Sequence, residues 1–479
     1  MTTEKKKYTS ALIVITSLFF MWGFITCMND ILIPFLKKMF ELTRFQSMMI
    51  QFAFFTAYFV GSVIYFIISA RKGDPISKIG YKNGIILGLI ISAFASVIFY
   101  PAAHFKVFAL FLAALFVLAL GFTLLQIAAN PYVALLGPPE TASSRLNLSQ
   151  AFNSLGTTLA PVLGGYLVFH FFAKMGAPLY NKLGEPILLD SGNPLSSLGV
   201  QLPYLIFAAI FILLAVIIKF TKLPKFTNSS SIEKGAGALK HSHLVLGMIA
   251  IFMYVGAEVS IGSAFINYAG ELLGYPEMEA KNFLAFYWGG AMIGRFLGAI
   301  SLSKLEKIKK YSYMLIASIL TFFLIYGIIY LESGSSFEFK RVVPFIIFLI
   351  LNYIGFIFGK SLPGRTLAIF AFIVIGLLAT TLVTDGVVAL WTVIGIGLFN
   401  SIMWSNIFTL AIKDLKENTA QGSSLLVMMI LGGAIVPIIQ GAVADSLNGY
   451  HLSFFVPIIC YAYLMFYGWK GYIPKPVQG

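Results

Sequence analysis

The chain has 479 residues, of which 59% are hydrophobic and only 11% charged, with a mean hydropathy of +0.89 and a net charge of +14. A soluble domain carries about a quarter charged residues, so these values exclude a soluble enzyme and predict an all-α polytopic membrane protein. The apolar runs are too long and too continuous for barrel strands, which alternate apolar and polar residues.

Met1–Ser10 is polar and basic. The apolar run behind it is long and has no small-residue cleavage site, so it reads as a first span and not a removed leader. Spanning segments are predicted at about 10–36, 46–70, 82–101, 106–136, 145–170 and 203–220. The polar stretch Thr221–His243 follows. Eight more segments are predicted at about 244–270, 281–303, 311–331, 343–359, 366–383, 386–412, 419–445 and 450–470, fourteen in all. The expected organisation is a six-helix bundle over 1–220, a cytoplasmic linker over 221–243 and a second bundle over 244–479. Two crossings more than six suggest a hairpin inserted at about 332–385, formed by the short segments 343–359 and 366–383. A re-entrant hairpin competes with that reading, and the sequence leaves open whether 311–331 or 366–383 matches the third helix of the first half.

Of the 33 Lys and Arg, 23 fall in loops on the side of the N-terminus and nine in loops on the other side, with Arg295 left inside a helix. Positive charge marks the cytoplasmic side. Both termini are therefore expected in the cytoplasm, and the basic excess needs no nucleic acid to explain it. A repeat at a spacing of 276 residues aligns Asn130, Leu155, Gly156, Pro161 and Gly165 with Asn406, Leu431, Gly432, Pro437 and Gly441. Two parallel halves with a ligand held between them at mid-membrane is a transporter architecture.

Polar groups at membrane depth are few. Asn29 and Asp30 lie in the otherwise uncharged run Ser17–Leu36. A carboxylate at the centre of a span costs roughly 2.5–3.5 kcal/mol, so it is kept where it binds a proton, a cation or a hydroxyl. The competing reading is a structural Asp near a helix end. Gln126 and Asn130 are spaced i,i+4 in the fourth segment, and Asn147, Gln150 and Asn153 step by three through the fifth. Amides both donate and accept, which suits a polyhydroxylated ligand; they also serve as glue between membrane helices. The second half adds Glu258, Asn267, Asn400 and Asn406, and Trp288 and Trp404 are aromatic faces for a sugar ring. Arg295 is expected either to snorkel to the interface or to pair with an acidic residue on a neighbouring helix, in a structural or gating role. The glycine pairs lie in apolar helices and lack a P-loop Lys, and no catalytic set converges, so no enzyme and no cofactor are expected.

The stretches MNDILIPFL (28–36), QIAANPYVALLGP (126–138) and SRLNLSQAFNSLGTTLAP (144–161) resemble the fucose:proton symporter family of the major facilitator superfamily, above all its glucose/galactose transporter branch. GRFLGA (294–299) and GSSLLVMMILGGAIVPIIQG (422–441) fit the same family. The resemblance implies a monosaccharide:cation symporter in a bacterial inner membrane, working by alternating access and as a monomer. It implies that Asp30 is the family's first-helix carboxylate, serving sugar binding and coupling, and that Gln150 and Asn153 contact sugar. Gln126 stands where proton-coupled members carry a glutamate. An amide does not titrate, so Asp30 and Glu258 are left as ion-coupling residues, and the balance tilts toward sodium, held near Asp30, over a proton. SKIGYKNG (77–84) resembles a degraded cytoplasmic motif of the superfamily, with Asp74 nearby in place of its missing Asp. The alternatives are an exporter or exchanger of a less polar molecule, which needs an apolar cavity, and a membrane receptor on a transporter scaffold, which needs an added soluble domain.

Overall fold

A computed structural model describes residues 3–475 except Thr43, 168–170, 181–183, 189–193, Lys225, 227–233 and 334–336, with the backbone alone at 3–7, 29–35 and a few other positions. Among the described residues the chain is helical, with two isolated β-bridges, Tyr180↔Pro186 and Leu188↔Pro194, in the loop after the fifth helix. The first six long helices are α1 (Thr3–Met39), α2 (Arg44–Lys72), α3 (Tyr81–His104), α4 (Phe108–Leu135), α5 (Ala142–Tyr166) and α6 (Leu198–Phe220). Eight follow: α7 (Ser242–Leu273), α8 (Glu277–Ser301), α9 (Lys307–Ser333), α10 (Val343–Gly359), α11 (Pro363–Val383), α12 (Gly386–Ala411, broken at Ser401–Ile402), α13 (Lys416–Ser446) and α14 (Tyr450–Gly471). In lipid every backbone N–H and C=O must be bonded within the segment, so long apolar runs become helices.

Thirteen of these helices are long and apolar enough to cross a membrane. The fourteenth, α5, is 25 residues long but carries the run SSRLNLSQAFNSLGTT, which keeps it out of that set. It can be polar because it packs between α1 and α8, so most of its length never meets lipid.

The packing repeats. In the first half α1 packs on α5, α3 on α4 and α6, and α2 on α4. In the second half α7 packs on α13, α11 on α12 and α14, and α8 on α12. The contacts between the halves obey the same two-fold: α5 with α8 and α12, α13 with α2 and α4. The 276-residue repeat is therefore structural. At its centre a Cβ built on Gly156 of α5 would lie 2.3 Å from the carbonyl oxygen of Phe20 in α1, and one on Gly432 of α13 would lie 2.0 Å from that of Phe252 in α7. Only glycine lets either helix pair approach so closely.

This symmetry corrects the expected insertion. The helix Pro363–Val383, α11, has the neighbours of a third helix, so the added pair is α9 and α10 and not 343–359 with 366–383. α10 packs on α12, where the Phe348 ring lies against Gly395 and Asn352 Nδ2 donates to the Leu398 carbonyl at 3.0 Å. At the outer end of the pair, Arg341 bonds Glu279 of α8 and lies over the rings of Tyr275, Phe283 and Phe337. Both added helices sit on the flank of α8 and α12, with many α9 side chains, such as Leu320 and Phe323, exposed to the lipid side.

Candidate functional site

The two halves are joined along one end of the molecule, the face from which the linker leaves. Ser144 Oγ of α5 donates to the Ala299 carbonyl of α8 at 2.5 Å, and the Ser143 and Thr409 hydroxyls meet at 2.6 Å. One turn deeper, Asn147 Nδ2 donates to Asn406 Oδ1 at 3.1 Å. At the rim Lys304 and Glu140 form an exposed ion pair of 3.3 Å, worth little by itself. Gln421 of α13 reaches both ways, donating to Ser69 Oγ of α2 at 3.0 Å and to the Gly235 carbonyl of the linker at 3.1 Å, while accepting from Ala238 N at 3.0 Å.

Asp74 supports the same face. Its Oδ1 accepts from Tyr65 Oη at 2.7 Å and from the backbone N–H groups of Ile76 and Ser77, so it caps the short helix Pro75–Ile79. The Gln421 backbone N–H at the start of α13 also faces its carboxylate, and burial pushes that carboxyl above the usual range. Asp74, near the motif-like loop, thus touches the second half.

Deeper still, Arg295 of α8 spans the boundary. Its Nη1 bonds Ser154 Oγ of α5, its Nε donates to the Ser401 carbonyl at 3.3 Å, and its Nη2 lies 4.0 Å from Glu258 Oε1 of α7. The last contact of the seam is Thr158 Oγ1 donating to Met292 Sδ at 3.6 Å. From Ser143 to Thr158 the seam follows about 22 Å of helix at 1.5 Å per residue. Trp288, Met292, Arg295 and Ala299 share one face of α8 by helical spacing. Trp288, one turn beyond Met292, is 43% exposed and packs against Gly262 of α7. The cross-half bonds described above stop one turn short of it.

The expected site residues fall into distinct settings. Asn29 and Asp30 lie on α1, but their side chains are outside the described residues. Gln150 is buried at 8% exposed, and Asn153 is half-buried with Nδ2 donating to the Phe19 carbonyl at 3.0 Å. Asn147, Gln150 and Asn153 do not form one wall. A step of three residues turns about 300°, so each amide is rotated about 60° from the last: Asn147 faces the second half and Asn153 faces α1. Gln126 is buried beside the Tyr58 hydroxyl, and Trp22 lies beside that hydroxyl too. Asn130 is fully buried, with neither amide atom bonded.

In the second half, Glu258 is nearly buried and Tyr254 faces its carboxylate. Asn400 is fully buried and fully used: its Nδ2 donates to Tyr287 Oη at 2.9 Å, and its Oδ1 accepts from Tyr461 Oη at 2.6 Å. It therefore presents nothing to a ligand in this conformation, because both ends of its amide already hold α8 and α14 to α12. Trp404 is 8% exposed, with Nε1 unbonded, and stacks on Phe408. Asn267 is exposed near the far end of α7, with Nδ2 3.4 Å from Tyr450 Oη, so it sits above mid-membrane depth. Of its two expected settings, Arg295 takes the acidic neighbour. Sequence reading missed Ser154, Met292, Tyr254, Tyr287 and Tyr461. The available signal was Tyr254 four residues before Glu258, and a hydroxyl next to Asn153 in an amide-rich helix. Among the described residues no group of acidic, His or Cys side chains could hold a metal.

The pattern of the Major Facilitator Superfamily matches residues 13–359. The chain is 43% identical to the glucose/galactose transporter of Brucella abortus biovar 1 (strain 9-941) over 475 residues, 98% of this chain and 96% of that protein. It is 30% identical to the L-fucose-proton symporter of Escherichia coli (strain K12) over 472 residues, 97% of this chain and 93% of that one. Its fold is similar to a crystal structure of the transporter FucP in the outward conformation, with a TM-score of 0.73 and 30% identity over 96% of this chain and 98% of that chain.

Proposed function

Because the chain belongs to the glucose/galactose transporter branch of the fucose:proton symporter family, within the major facilitator superfamily, we propose that it carries a hexose, glucose or galactose, together with a cation by alternating access. It is a transporter and not an enzyme. The observation that carries the reading is the seam near the linker face: the halves are bonded through side chains from Ser143 to Thr158, and Trp288, one turn beyond Met292, is 43% exposed. A site between them is then open to one side only, which is what alternating access requires.

In this reading the linker face is cytoplasmic, since it carries the larger share of Lys and Arg. The protein is a monomer in a bacterial inner membrane. The sugar binds where the seam ends. The candidate sugar-contacting residues are Asn29, Asp30, Gln126, Gln150 and Asn153 in the first half and Glu258 and Trp288 in the second. The coupling ion is a proton. Sequence reasoning tilted toward sodium because Gln126 does not titrate, but the relatives whose names state an ion are proton symporters, and a proton needs only one carboxylate, which Asp30 or Glu258 supplies. An exporter of apolar compounds fits less well, since amides and a carboxylate surround the end of the seam.

The test is uptake of labelled glucose, galactose and fucose into proteoliposomes under imposed proton or sodium gradients. Accumulation driven by a proton gradient in sodium-free buffer is expected. No uptake of any monosaccharide would overturn the function, and a strict sodium requirement would overturn the ion. Asp30→Asn should abolish gradient-driven accumulation; a mutant that still concentrates sugar at the wild-type rate makes Asp30 structural.

A further inference from the structure

Arg295 holds three groups at once, and they belong to different moving parts. Ser154 is on α5 in the first half, Ser401 is on α12, and Glu258 is on α7. The bond to Ser154 is close, whereas the 4.0 Å to Glu258 is the outer limit of an ion pair. All of this lies near the deep end of the seam, one turn before the Thr158–Met292 contact. A cation and a carboxylate this deep repay their desolvation only when they meet in good geometry. The sealed conformation denies them that geometry, because the guanidinium is turned toward the first half.

We propose that Arg295 is an exchange latch: opening the linker face withdraws Ser154, Arg295 falls back onto Glu258, and the pair that forms expels a proton from Glu258 toward the linker face. The proton leaves a Glu258 carboxyl oxygen for water on the side that has just opened. Arg295 keeps its charge throughout, and no covalent bond changes. With Glu258 neutral, the guanidinium has no competing anion and stays on Ser154, so the linker face stays sealed. With Glu258 ionised, the open state gains the ion pair. This inference rests on the proton-symport reading, and it moves the titrating group lost at Gln126 into the second half.

The surroundings leave Glu258 as the group that titrates. From its own helix Tyr254 faces it; from α8 come Arg295 and Tyr287, and from α14 Tyr461. Phenols titrate near 10 and arginine above 12, outside the working range. α12 contributes Asn400, α13 packs against α7 through Gly432 and Val436, and α5 contributes Ser154, none of which titrates. Tyr287 Oη donates to the Glu258 main-chain carbonyl at 3.0 Å and accepts from Asn400, which fixes the backbone while the carboxylate keeps freedom to turn.

The latch can be read without any sugar. In a background with Cys27 and Cys460 replaced by Ala, Ser143→Cys reports opening of the linker face through its rate of maleimide labelling in liposomes between pH 5.5 and 8.5, taken at each pH relative to the same cysteine in unfolded protein so that thiolate formation cancels. Labelling should rise with pH in the parent protein, as Glu258 ionises. Glu258→Gln should give slow labelling that no longer depends on pH, and Glu258→Asp should restore the dependence in part. Ser154→Ala should raise labelling at low pH roughly tenfold, the scale of one hydrogen bond to a charged group. Melting curves in detergent identify variants that fail to fold; if Glu258→Gln is one, Ser154→Ala and Arg295→Gln decide, the latter losing the pH response. Unchanged pH dependence in Glu258→Gln, or in Arg295→Gln, overturns the proposal. Absence of proton-driven sugar uptake in a protein whose labelling follows these expectations would instead overturn the symport reading and leave the latch standing.

Discussion

The two halves of the molecule share one plan and use it for different chemistry. α1 meets α5 at Gly156, and α7 meets α13 at Gly432, each against a carbonyl of the partner helix. Around that common contact the first half places amides, Gln126, Gln150 and Asn153, with Asp30 on the same α1. The second half places an ion pair beside Tyr254 and two tyrosines on Asn400. The backbone contacts repeat because they set how the helices cross, while the side chains facing the middle are free to diverge. In the proposed function, hydroxyl recognition belongs to the first half and the movable charge to the second.

The equivalence of the halves breaks most visibly at its glycines. Gly156→Val and Gly432→Val should each cost the folded yield and lower the melting temperature sharply, since a carbonyl oxygen at 2.3 or 2.0 Å cannot retreat as a side chain can. Overpacking of a closed contact costs about 1–3 kcal/mol or more. Gly441→Ala, with nothing within 4 Å, should be silent in the same detergent melt. A variant tolerated in one half and lethal in the other would show that the two helix pairs are not equivalent.

Gln150→Ala and Asn153→Ala test the division of labour. Each should weaken sugar binding by about 1–3 kcal/mol, the scale of a buried polar partner left unpaired. Titration of purified protein with labelled sugar reads this as a rise in Kd. Unchanged Kd in both, with intact folding, would make these amides helix glue and remove the first half's special role.

A smaller effect is expected at the seam. Asn147→Ala and Asn406→Ala, with the double mutant, should give a coupling energy of roughly 0.6 kcal/mol, the mean for hydrogen bonds between membrane helices. The change should be seen as faster labelling of a cysteine on the linker face, because Asn147 Nδ2 holds Asn406 only while the halves are closed. The smallest effect on transport belongs to the added pair. Asn352→Ala removes one bond to the Leu398 carbonyl and should cost about 1 kcal/mol of stability with sugar affinity unchanged. A loss of transport larger than the loss of folded protein would place α10 in the working machinery.

The sequence by itself determined the class, the fourteen crossings, the repeat and the family, because these follow from composition, period and long shared motifs. The polar α5 was legible among the predicted spans although it falls outside the set of strongly apolar helices. The sequence left open whether Arg295 snorkels or meets a carboxylate. Only the tertiary structure decided which helices are the added pair, since α9 and α11 are equally apolar and differ in what they pack against. It decided the fate of each amide too. Asn147, Asn153 and Asn400 look alike in a list of polar residues, yet one bonds the other half, one bonds α1 and one is consumed by two tyrosines. An amide's role is set by the groups within about 3 Å of it. On a helix those groups come from other segments, here 61 to 259 residues away in the chain, and local pattern carries no record of them.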